Sequence, residues 1–342
     1  MKAMILKGVF DLKKEREPLE YVDVEAPMPG EGQIVIKILS CGVCHTELDE
    51  IEGRTPPEQY PVIPGHQVIG HVVEMGKGCH LTSIDDRVGV AWIFDSCGFC
   101  RLCRTGLENL CSSFKATGRD VNGGYAEFMV VSENFVYQIP EVFPEIEAAP
   151  LLCAGAIGYR SVRLCDLEGK KVLGLAGFGA SAHLVLKMIG KLYPDVQVIV
   201  MARSETSRRL ATELGAVWTG DFGEVPPLRP QAIIDTTPAW KPVMDSLAVL
   251  ERGGRLVINA IRKEADDAAV LSSIDYTAHL WQEKEIKSVA NVTRRDVRDF
   301  LSTAAEIPLK PKVQLYNLRE ANAALQDLKN GGSSGAKVLV MD

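Results

Sequence analysis

The sequence lacks a long apolar segment, and it lacks an excess of basic residues. No apolar run approaches the roughly 18 residues that cross a bilayer, and the first run, residues 4–10, is interrupted by Lys7. We therefore expect no membrane span and no signal peptide. Lysine and arginine number 38 against 45 aspartate and glutamate residues, for a formal net charge of −7. That negative charge argues against a nucleic-acid-binding surface.

Internal repeats and low-complexity segments are also lacking, which argues against a repeat architecture and against a mainly disordered chain. The 342 residues are 46% hydrophobic and 24% charged, which is typical of a globular protein with a well-formed core. At roughly 150 residues per domain, this length predicts about two domains. Nine cysteines, an odd number without a secretory signal, favour a reducing compartment. We expect a cytoplasmic protein.

The sequence pattern changes near residue 150. Before this point, short β-rich runs such as 33–39 and 68–74 are separated by glycine, proline and aspartate, which predicts a β-dominated domain. After it, apolar runs alternate with helical stretches, which predicts βαβ units around a parallel sheet. The predicted elements are strands at 171–176, 196–202, 232–235, 255–259 and 337–341, and helices at 180–191, 205–214 and 318–328.

Four cysteines lie within fifteen residues: Cys97, Cys100, Cys103 and Cys111. Zinc in a closed site takes four ligands, with sulfur at about 2.3 Å, and two-residue gaps let a looped backbone point successive thiolates inward. With all four positions filled, such a zinc is structural. The alternatives are an iron–sulfur cluster, which also uses closely spaced thiolates, and four unrelated buried thiols.

Three further residues are weak signals when taken singly. Cys44 lies in CGVCHTE, His66 lies in PGHQ, and Cys153 lies in an apolar run. In this order, with the four-cysteine loop between the second and the third, they resemble the zinc-dependent medium-chain dehydrogenase/reductase family, in its alcohol dehydrogenase branch. The segments DRVGV at 86–90 and GGYAE at 123–127, with the dinucleotide loop described below, extend the resemblance over essentially the whole chain.

The resemblance implies an α/β protein of two domains, a Rossmann doubly wound parallel sheet plus a GroES-like β-rich catalytic domain. The catalytic domain is expected at 1–153 and 290–342, with the structural zinc loop at 95–113. The Rossmann dinucleotide-binding domain is expected at 154–289. The active site is expected in the cleft between the two. A homo-oligomer, dimer or tetramer, formed through the Rossmann sheet edge, is also implied.

The same resemblance implies two zinc ions per chain, one of them in the four-cysteine loop. Cys44, His66 and Cys153 carry over as ligands of a catalytic zinc, whose fourth position stays open for water or the substrate oxygen. In that position an alcohol becomes more acidic and a carbonyl becomes polarised towards hydride. The other cysteines match no ligand position and are expected in the core: Cys41, Cys79 and Cys165.

The proton path of the family carries over in part. Thr46 matches the hydroxyl that begins the path, which runs through the cofactor ribose to an imidazole, and here Asp49 stands at the imidazole position. His45 matches a basic residue on the cofactor pyrophosphate. Glu47 matches an acid behind the zinc ligands, which orients them.

Several positions depart from the family pattern. Gln67 stands where a glutamate commonly lies behind the zinc, and Ile157 stands where a threonine contacts the nicotinamide. Ser334 replaces an arginine that lies close to the pyrophosphate in relatives. Trp92 and Ile93 are candidates for the substrate pocket, and core packing is the alternative for each.

A glycine-rich loop joins the first strand of the second half to its helix. In GLAGFG at 174–179, Gly174 is expected at the first turn and Ala176 stands at the middle glycine of the usual fingerprint. Gly177 and Gly179 keep the backbone bare near the helix N-terminus. With Phe178, these residues are expected to bind the cofactor pyrophosphate.

The next strand of this half ends without an acidic residue. NAD enzymes carry aspartate or glutamate there for the ribose hydroxyls, whereas this strand ends in Ala202, Arg203 and Ser204, with Arg208 one helical turn further on. Arg203 can form charge-assisted bonds with a 2′-phosphate, so NADP(H) is favoured over NAD(H). The alternative for both arginines is a solvated helix start. The stretch that contacts the nicotinamide carboxamide in relatives corresponds to Asn259, Ala260 and Ile261.

These features predict reversible hydride transfer between NADP(H) and primary or secondary alcohols, aldehydes or ketones, by a zinc-dependent alcohol dehydrogenase. Two alternatives stay open. One is a polyol or sugar-alcohol dehydrogenase of the same family. The other is a non-catalytic NADP-binding protein that keeps only the structural zinc, which predicts one zinc per chain and no turnover.

Overall fold

The computed structural model describes residues 1–307, 309–331 and 335–341, apart from the side chain of Ala180, so Ser334 lies outside the described residues. The chain forms two compact units. The first comprises Met1–Cys153, Val292–Ala305 and Lys310–Asp342, and the second comprises Ala154–Asn291 and Glu306–Leu309. In the described part of the chain, no helix is long and apolar enough to cross a membrane.

The strands and helices of the described residues run in the following chain order. The strands are β1 (Lys2–Leu6), β2 (Leu19–Asp23), β3 (Gln33–Val43), β4 (Val68–Met75), β5 (Arg87–Val90), β6 (Ile93–Asp95), β7 (Lys115–Ala116), β8 (Phe128–Ser132), β9 (Val136–Gln138), β10 (Val172–Ala176), β11 (Gln197–Met201), β12 (Trp218–Gly220), β13 (Ala232–Asp235), β14 (Arg255–Ile258), β15 (Glu285–Ser288), β16 (Val313–Asn317) and β17 (Ala336–Val340). The helices are α1 (His45–Ile51), α2 (Arg101–Arg104), α3 (Glu145–Pro150), α4 (Ala156–Cys165), α5 (Ala180–Leu192), α6 (Glu205–Glu213), α7 (Lys241–Val249), α8 (Arg294–Ala305) and α9 (Ala321–Lys329).

The first unit is built around a seven-stranded sheet. Its strands lie in the order β16, β17, β3, β4, β5, β9, with β8 also paired to β3. Every pair is antiparallel except β16 with β17. Alternate residues of a strand share one face, and in β3 the side chains of Ile34, Ile36 and Ile38 are buried in the core. This unit confirms the predicted GroES-like β-rich domain.

The second unit is built around a six-stranded parallel sheet in the order β12, β11, β10, β13, β14, β15. Counted from β10, this order is 3-2-1-4-5-6, which is the order of a Rossmann sheet. Every residue of β10 and β13 is buried, as expected for parallel strands covered on both faces. The predicted doubly wound α/β fold is therefore confirmed.

The domain and helix boundaries differ in detail from those expected. The first domain is expected to resume at residue 290, but Ala290 and Asn291 belong to the second unit. They continue from β15, and the backbone turns at Asn291, where φ is 60°. Glu306–Leu309 also belongs to the second unit, in which Glu306 forms an ion pair with Lys191 at 3.2 Å. The helix expected at 318–328 begins with a 3-10 turn before α9.

Candidate functional site

The four cysteines between β6 and β7 converge on one point. Cys111 Sγ lies 3.5 Å from Cys97 Sγ and 3.9 Å from Cys100 Sγ, and Cys97 Sγ lies 3.8 Å from Cys103 Sγ. All four sulfur atoms lie within 4.8 Å of one another. Sulfur ligands about 2.3 Å from a tetrahedral zinc are about 3.8 Å apart. The four thiols therefore fit a structural zinc ion.

Backbone N–H groups donate to three of these sulfur atoms. The N–H groups of Cys100, Cys103 and Ser113 donate to Cys97 Sγ, Cys100 Sγ and Cys111 Sγ, each at 3.4 Å. Such bonds favour the thiolate, and the N–H of Cys100 is the main cause that lowers the pKa of Cys97 to about 6. Burial instead raises the pKa of Cys103 to about 11. Zinc binding requires the thiolate form of each ligand.

Three ligands from separate segments come together at a second site. Cys44 is the N-cap of α1, His66 precedes β4, and Cys153 lies in a π-helical turn, Leu151–Gly155, which follows α3. Their ligand atoms lie within 4.8 Å of one another, and Cys44 Sγ is 3.7 Å from His66 Nε2. A zinc ion with sulfur at about 2.3 Å and nitrogen at about 2.0 Å requires a similar separation. The structure thus brings together the three residues that the sequence predicted.

A single carboxylate orients two of these ligands. Glu47 is fully buried, its Oε1 lies 2.6 Å from His66 Nδ1, and its Oε2 accepts the N–H of Cys44 at 2.8 Å. Cys44 Sγ in turn accepts the N–H of Thr46 at 3.3 Å. The side chains of Cys44 and Glu47 form the capping box of α1. The start of this helix therefore places Cys44 and turns His66 Nε2 towards the metal position.

The electrostatic surroundings of the three ligands fit a cation. Burial alone lowers the pKa of His66, but the charges of Glu47 and Cys44 outweigh it and raise that pKa well above its ordinary value. The hydrogen bond with Cys153, followed by burial, raises the pKa of Cys44. A buried group of acids and thiols is stabilised in its ionised form by a divalent metal ion.

Trp92 lies beside this site. Its ring meets the His66 ring edge-on, with ring centroids 5.1 Å apart. The guanidinium carbon of Arg119 lies 5.4 Å from the Trp92 ring centroid, and Arg119 pairs with Asp120 at 2.7 Å. Ile93 is buried in the core. No sequence signal points to Arg119, because a lone arginine in a turn is typical of a solvated residue.

Of the departures from the family pattern, Gln67 and Ile157 lie within the described residues. Gln67 is buried, and its Nε2 has no hydrogen-bond partner among the described residues. Its side chain packs against Gly42, where an added Cβ would lie 2.7 Å from Gln67 Oε1. Ile157 is half-buried in α4. The uncharged amide of Gln67 thus follows His66, a candidate zinc ligand, directly in the chain.

Thr46 and Asp49, predicted for the proton path, lie on α1 together with His45, predicted to bind the pyrophosphate. Thr46 and Asp49 are buried, whereas His45 is exposed. Asp49 forms an ion pair with Arg54 at 2.5 Å, and Arg54 also pairs with Glu52 at 2.7 Å. The proton relay itself stays a prediction.

The glycine-rich segment places its turn at Gly177 rather than at Gly174. Gly174 lies inside β10, where an added Cβ would meet a side chain of β13 at 2.9 Å, so its role is close strand packing. Gly177 has a φ of +85°, which favours glycine. Ala176 ends β10, and Gly179 is the N-cap of α5. The buried Phe178 lies between Gly177 and Gly179.

The turn after β11 is held by Arg208. Its guanidinium donates to the backbone oxygens of Ala202 at 2.7 Å and Arg203 at 3.0 Å, and it pairs with Glu205 at 2.8 Å. Ser204 is the N-cap of α6, and the Arg203 side chain is exposed. Arg208 therefore supports the turn, while Arg203 extends into solvent.

The loop after β14 contains the third predicted cofactor segment. The N–H of Asn259 donates to the Asp235 backbone oxygen at 2.7 Å, while Ala260 is half-buried and Ile261 is exposed. Sequence reasoning missed Asp235 and its partner Lys263. An aspartate directly after a buried apolar strand is a signal that could have identified Asp235.

Comparison with known proteins agrees with this geometry. The family model for the alcohol dehydrogenase GroES-like domain matches residues 30–141. The chain is 39% identical over 329 residues to a protein of Mycobacterium tuberculosis named "Probable alcohol dehydrogenase AdhA", with 95% of this chain and 93% of the relative covered. It is 29% identical to an alcohol dehydrogenase of Geobacillus stearothermophilus, with 95% and 96% covered.

A solved structure is similar over the whole chain. The cinnamyl alcohol dehydrogenase of Sorghum bicolor is 27% identical, with a TM-score of 0.83 and with 99% of this chain and 98% of that chain covered. Fold, zinc-ligand geometry and sequence identity thus point the same way. The chain belongs to the zinc-dependent medium-chain dehydrogenase/reductase family, in its alcohol dehydrogenase branch, and is an NAD(P)-dependent oxidoreductase.

Proposed function

We propose that this chain is a zinc-dependent alcohol dehydrogenase that transfers hydride reversibly between NADP(H) and primary or secondary alcohols, or the matching aldehydes and ketones. The observation that carries the proposal is the contrast between the two cysteine sites. Four thiols complete one site, whereas among the described residues only Cys44, His66 and Cys153 converge at the other. A three-ligand site leaves one coordination position for a substrate oxygen.

A zinc ion held by these three residues would act as a Lewis acid, which acidifies an alcohol and polarises a carbonyl. The residues of the chain have two roles: they position the zinc ligands, and they move the proton of the alcohol. Glu47 orients His66, and the capping box places Cys44. We assign the hydroxyl of Thr46, two residues after Cys44, as the first group on the proton path: Oγ1 accepts the alcohol proton as it passes its own proton onward. Asp49, further along the same helix, is assigned as a later carboxylate on that path.

The carboxyl edge of the parallel sheet supports a dinucleotide site. The strand order reverses between β10 and β13, and doubly wound sheets bind dinucleotides at such a reversal. The turn at Gly177 and the first N–H groups of α5 offer an anion site at this edge. These features support a cofactor whose pyrophosphate binds at the start of α5.

NADP(H) is proposed over NAD(H) because the turn after β11 has no carboxylate. Ala202, Arg203 and Ser204 occupy the positions where an acid would bind the ribose hydroxyls. The exposed guanidinium of Arg203 can pair with a 2′-phosphate, and Ser204 adds a hydroxyl donor. The bonds of Arg208 to the backbone hold this turn in one conformation.

The test is the initial rate of benzaldehyde and cyclohexanone reduction with NADPH and NADH in parallel. We expect faster NADPH oxidation, and we expect Arg203→Ala to raise the KM for NADPH about tenfold with little effect on NADH. Arg209→Ala, which removes an exposed arginine of α6, is the matched control. A wild-type preference for NADH would overturn the role of Arg203 and leave the dehydrogenase proposal intact. No turnover by protein that carries only one zinc would overturn the dehydrogenase proposal.

We also propose a homo-oligomer that forms at β15. This strand is the last of its sheet, and all four of its residues are exposed. Large apolar side chains are exposed here, namely Ile286 within β15 and Tyr276 and Trp281 shortly before it in the chain. An exposed edge strand with apolar neighbours favours pairing with another strand, and a second copy of the chain supplies one by two-fold symmetry.

A further inference from the structure

A buried ion pair joins two loops of the second unit. Lys263 Nζ contacts Asp235 Oδ2, and it donates to the backbone oxygens of Thr237 at 2.8 Å and Ala239 at 3.0 Å. The Lys263 side chain is 8% exposed, and the Asp235 side chain is fully buried. Asp235 ends β13 and the other two acceptors follow it, whereas Lys263 lies in the loop after β14. The ammonium group therefore ties one loop to the other.

Further hydrogen bonds join the same two loops. The N–H of Asn259 donates to the Asp235 backbone oxygen, and the N–H of Glu264 donates to the Pro238 backbone oxygen, each at 2.7 Å. The Asp267 carboxylate accepts the N–H groups at the start of α7. The loop after β14 is thus attached to the loop after β13 from its first residue to Asp267.

The position of these loops in the sheet relates them to the proposed cofactor site. Ala176, Asp235 and Ile258 are register neighbours at the carboxyl ends of β10, β13 and β14. In a doubly wound sheet, each half binds one mononucleotide at this edge. The turn for the pyrophosphate follows β10 and the proposed site for the 2′-phosphate follows β11, so the first half of the sheet takes the adenosine nucleotide. The half that begins with β13 therefore takes the nicotinamide nucleotide.

Asn259 supplies an independent sign of a ligand at this edge. It is 9% exposed, and its Nδ2 has no hydrogen-bond partner among the described residues. A buried donor without a partner costs free energy, and a ligand oxygen would satisfy it. The carboxamide of nicotinamide carries such an oxygen.

We propose that Lys263 and Asp235 form a clamp that positions the loop after β14, and with it Asn259, for the nicotinamide end of the cofactor. This inference rests on the proposed dinucleotide-binding function and adds two positioning residues to it. A buried ion pair is seldom more stabilising than apolar packing of the same volume, so its use here is to select one loop conformation. Burial raises the pKa of Asp235 and the Lys263 ammonium opposes that rise, so the ionised carboxylate depends on its partner.

The test compares the whole cofactor with a fragment that lacks nicotinamide. Titration calorimetry measures the Kd of NADPH and of 2′-phospho-ADP-ribose for the wild type and for Lys263→Met. We expect NADPH to bind at least about tenfold more weakly to the variant, and the fragment to bind within about twofold of the wild type. Lys241→Met, which removes an exposed lysine paired with Asp245, is the matched control and should change neither Kd.

Lys263→Arg keeps a cation and should restore most of the NADPH affinity. Equal weakening of both ligands, or of neither, would overturn the clamp. If Lys263→Met unfolds at the assay temperature, Asp235→Asn, which keeps the side-chain size, replaces it. The same comparison of the Kd of NADPH with the Kd of the fragment then applies. A wild type that prefers NADH is tested with NADH and ADP-ribose. A wild type that binds no dinucleotide overturns the proposed function, and the clamp with it.

Discussion

Glu47 Oε1 lies 2.6 Å from His66 Nδ1, and both side chains are shielded from solvent. Because the second oxygen of Glu47 accepts the N–H of Cys44, this carboxylate orients two of the three proposed zinc ligands. Glu47→Gln keeps the shape but removes the charge and one acceptor oxygen. We expect the zinc affinity of the three-ligand site to fall about 10- to 100-fold. Competition with a chromophoric chelator measures that affinity.

The four-cysteine site is an internal control for this variant. It lies in another segment, so the wild type and Glu47→Gln should release its zinc at the same chelator concentration. An unchanged affinity at the three-ligand site would show that Glu47 does not set the orientation of His66.

The two candidate zinc sites differ in how far the sequence predicts them, because the ligands of one are close together in the chain and those of the other are far apart. The four ligands from Cys97 to Cys111 lie in one loop, so spacing alone indicates their chemistry. Cys44, His66 and Cys153 come from three separate elements. Their order within a family pattern was needed to recognise them, because no local spacing joins them.

Other features depend on tertiary structure that no local pattern contains. Gly174 has the sequence position of a turn glycine, yet it lies inside β10, because the strand continues for two more residues to Ala176. Lys263 is 28 residues from Asp235 in the chain, and the two meet only because β13 and β14 end at the same edge of the sheet. Motif reading therefore finds the candidate zinc ligands, but not a pair such as Lys263 and Asp235 that joins two loops distant in the chain.

Glu108 connects the four-cysteine loop to α8. Its Oε1 accepts the backbone N–H of Arg294 at 2.8 Å and the side-chain Nε at 3.2 Å, and Glu108 is buried. A carboxylate at a helix N-terminus stabilises the helix. Cys111→Ser should release the structural zinc and displace Glu108, which lies three residues earlier. We expect the amide hydrogens of α8 to exchange faster, while those of β10 stay protected.

Hydrogen exchange followed by mass spectrometry, with zinc content measured on the same sample, checks this expectation. Cys79→Ser is the matched control, because Cys79 lies outside both metal sites. Unchanged exchange of α8 in protein that has lost one zinc ion would show that the loop and the helix are independent.

Asp267 caps α7 from a distant position in the chain. Its carboxylate accepts the N–H groups of Trp240 at 2.9 Å and Lys241 at 2.7 Å, and these bonds lower the pKa of Asp267 below its ordinary value of 3.8. Since the folded pKa is the lower one, the stabilisation is complete above the unfolded pKa and is lost as the pH falls through the folded pKa. Asp267→Ala should lower the Tm by about 2 °C at pH 7, and the difference should shrink below about pH 4.

Thermal unfolding of the wild type and the variant at pH 7 and at pH 3 tests this cap. Asp266→Ala removes the exposed neighbouring carboxylate and should leave the Tm nearly unchanged at both pH values. A Tm difference for Asp267→Ala that is the same at pH 3 as at pH 7 would contradict a role for the ionised carboxylate.

The edge strand β15 exposes an apolar side chain, since Ile286 within it is 47% exposed. A lysine on an edge strand opposes pairing with a second copy, since the ammonium group must stay hydrated. We therefore expect Ile286→Lys to shift the chain from an oligomer towards a monomer in size-exclusion chromatography with light scattering. Ile84→Lys makes the same substitution at an exposed isoleucine of the first unit, so it should leave the mass unchanged. If both variants keep the mass of the wild type, β15 is not the contact between subunits, and a wild type with the mass of one chain would exclude the oligomer itself.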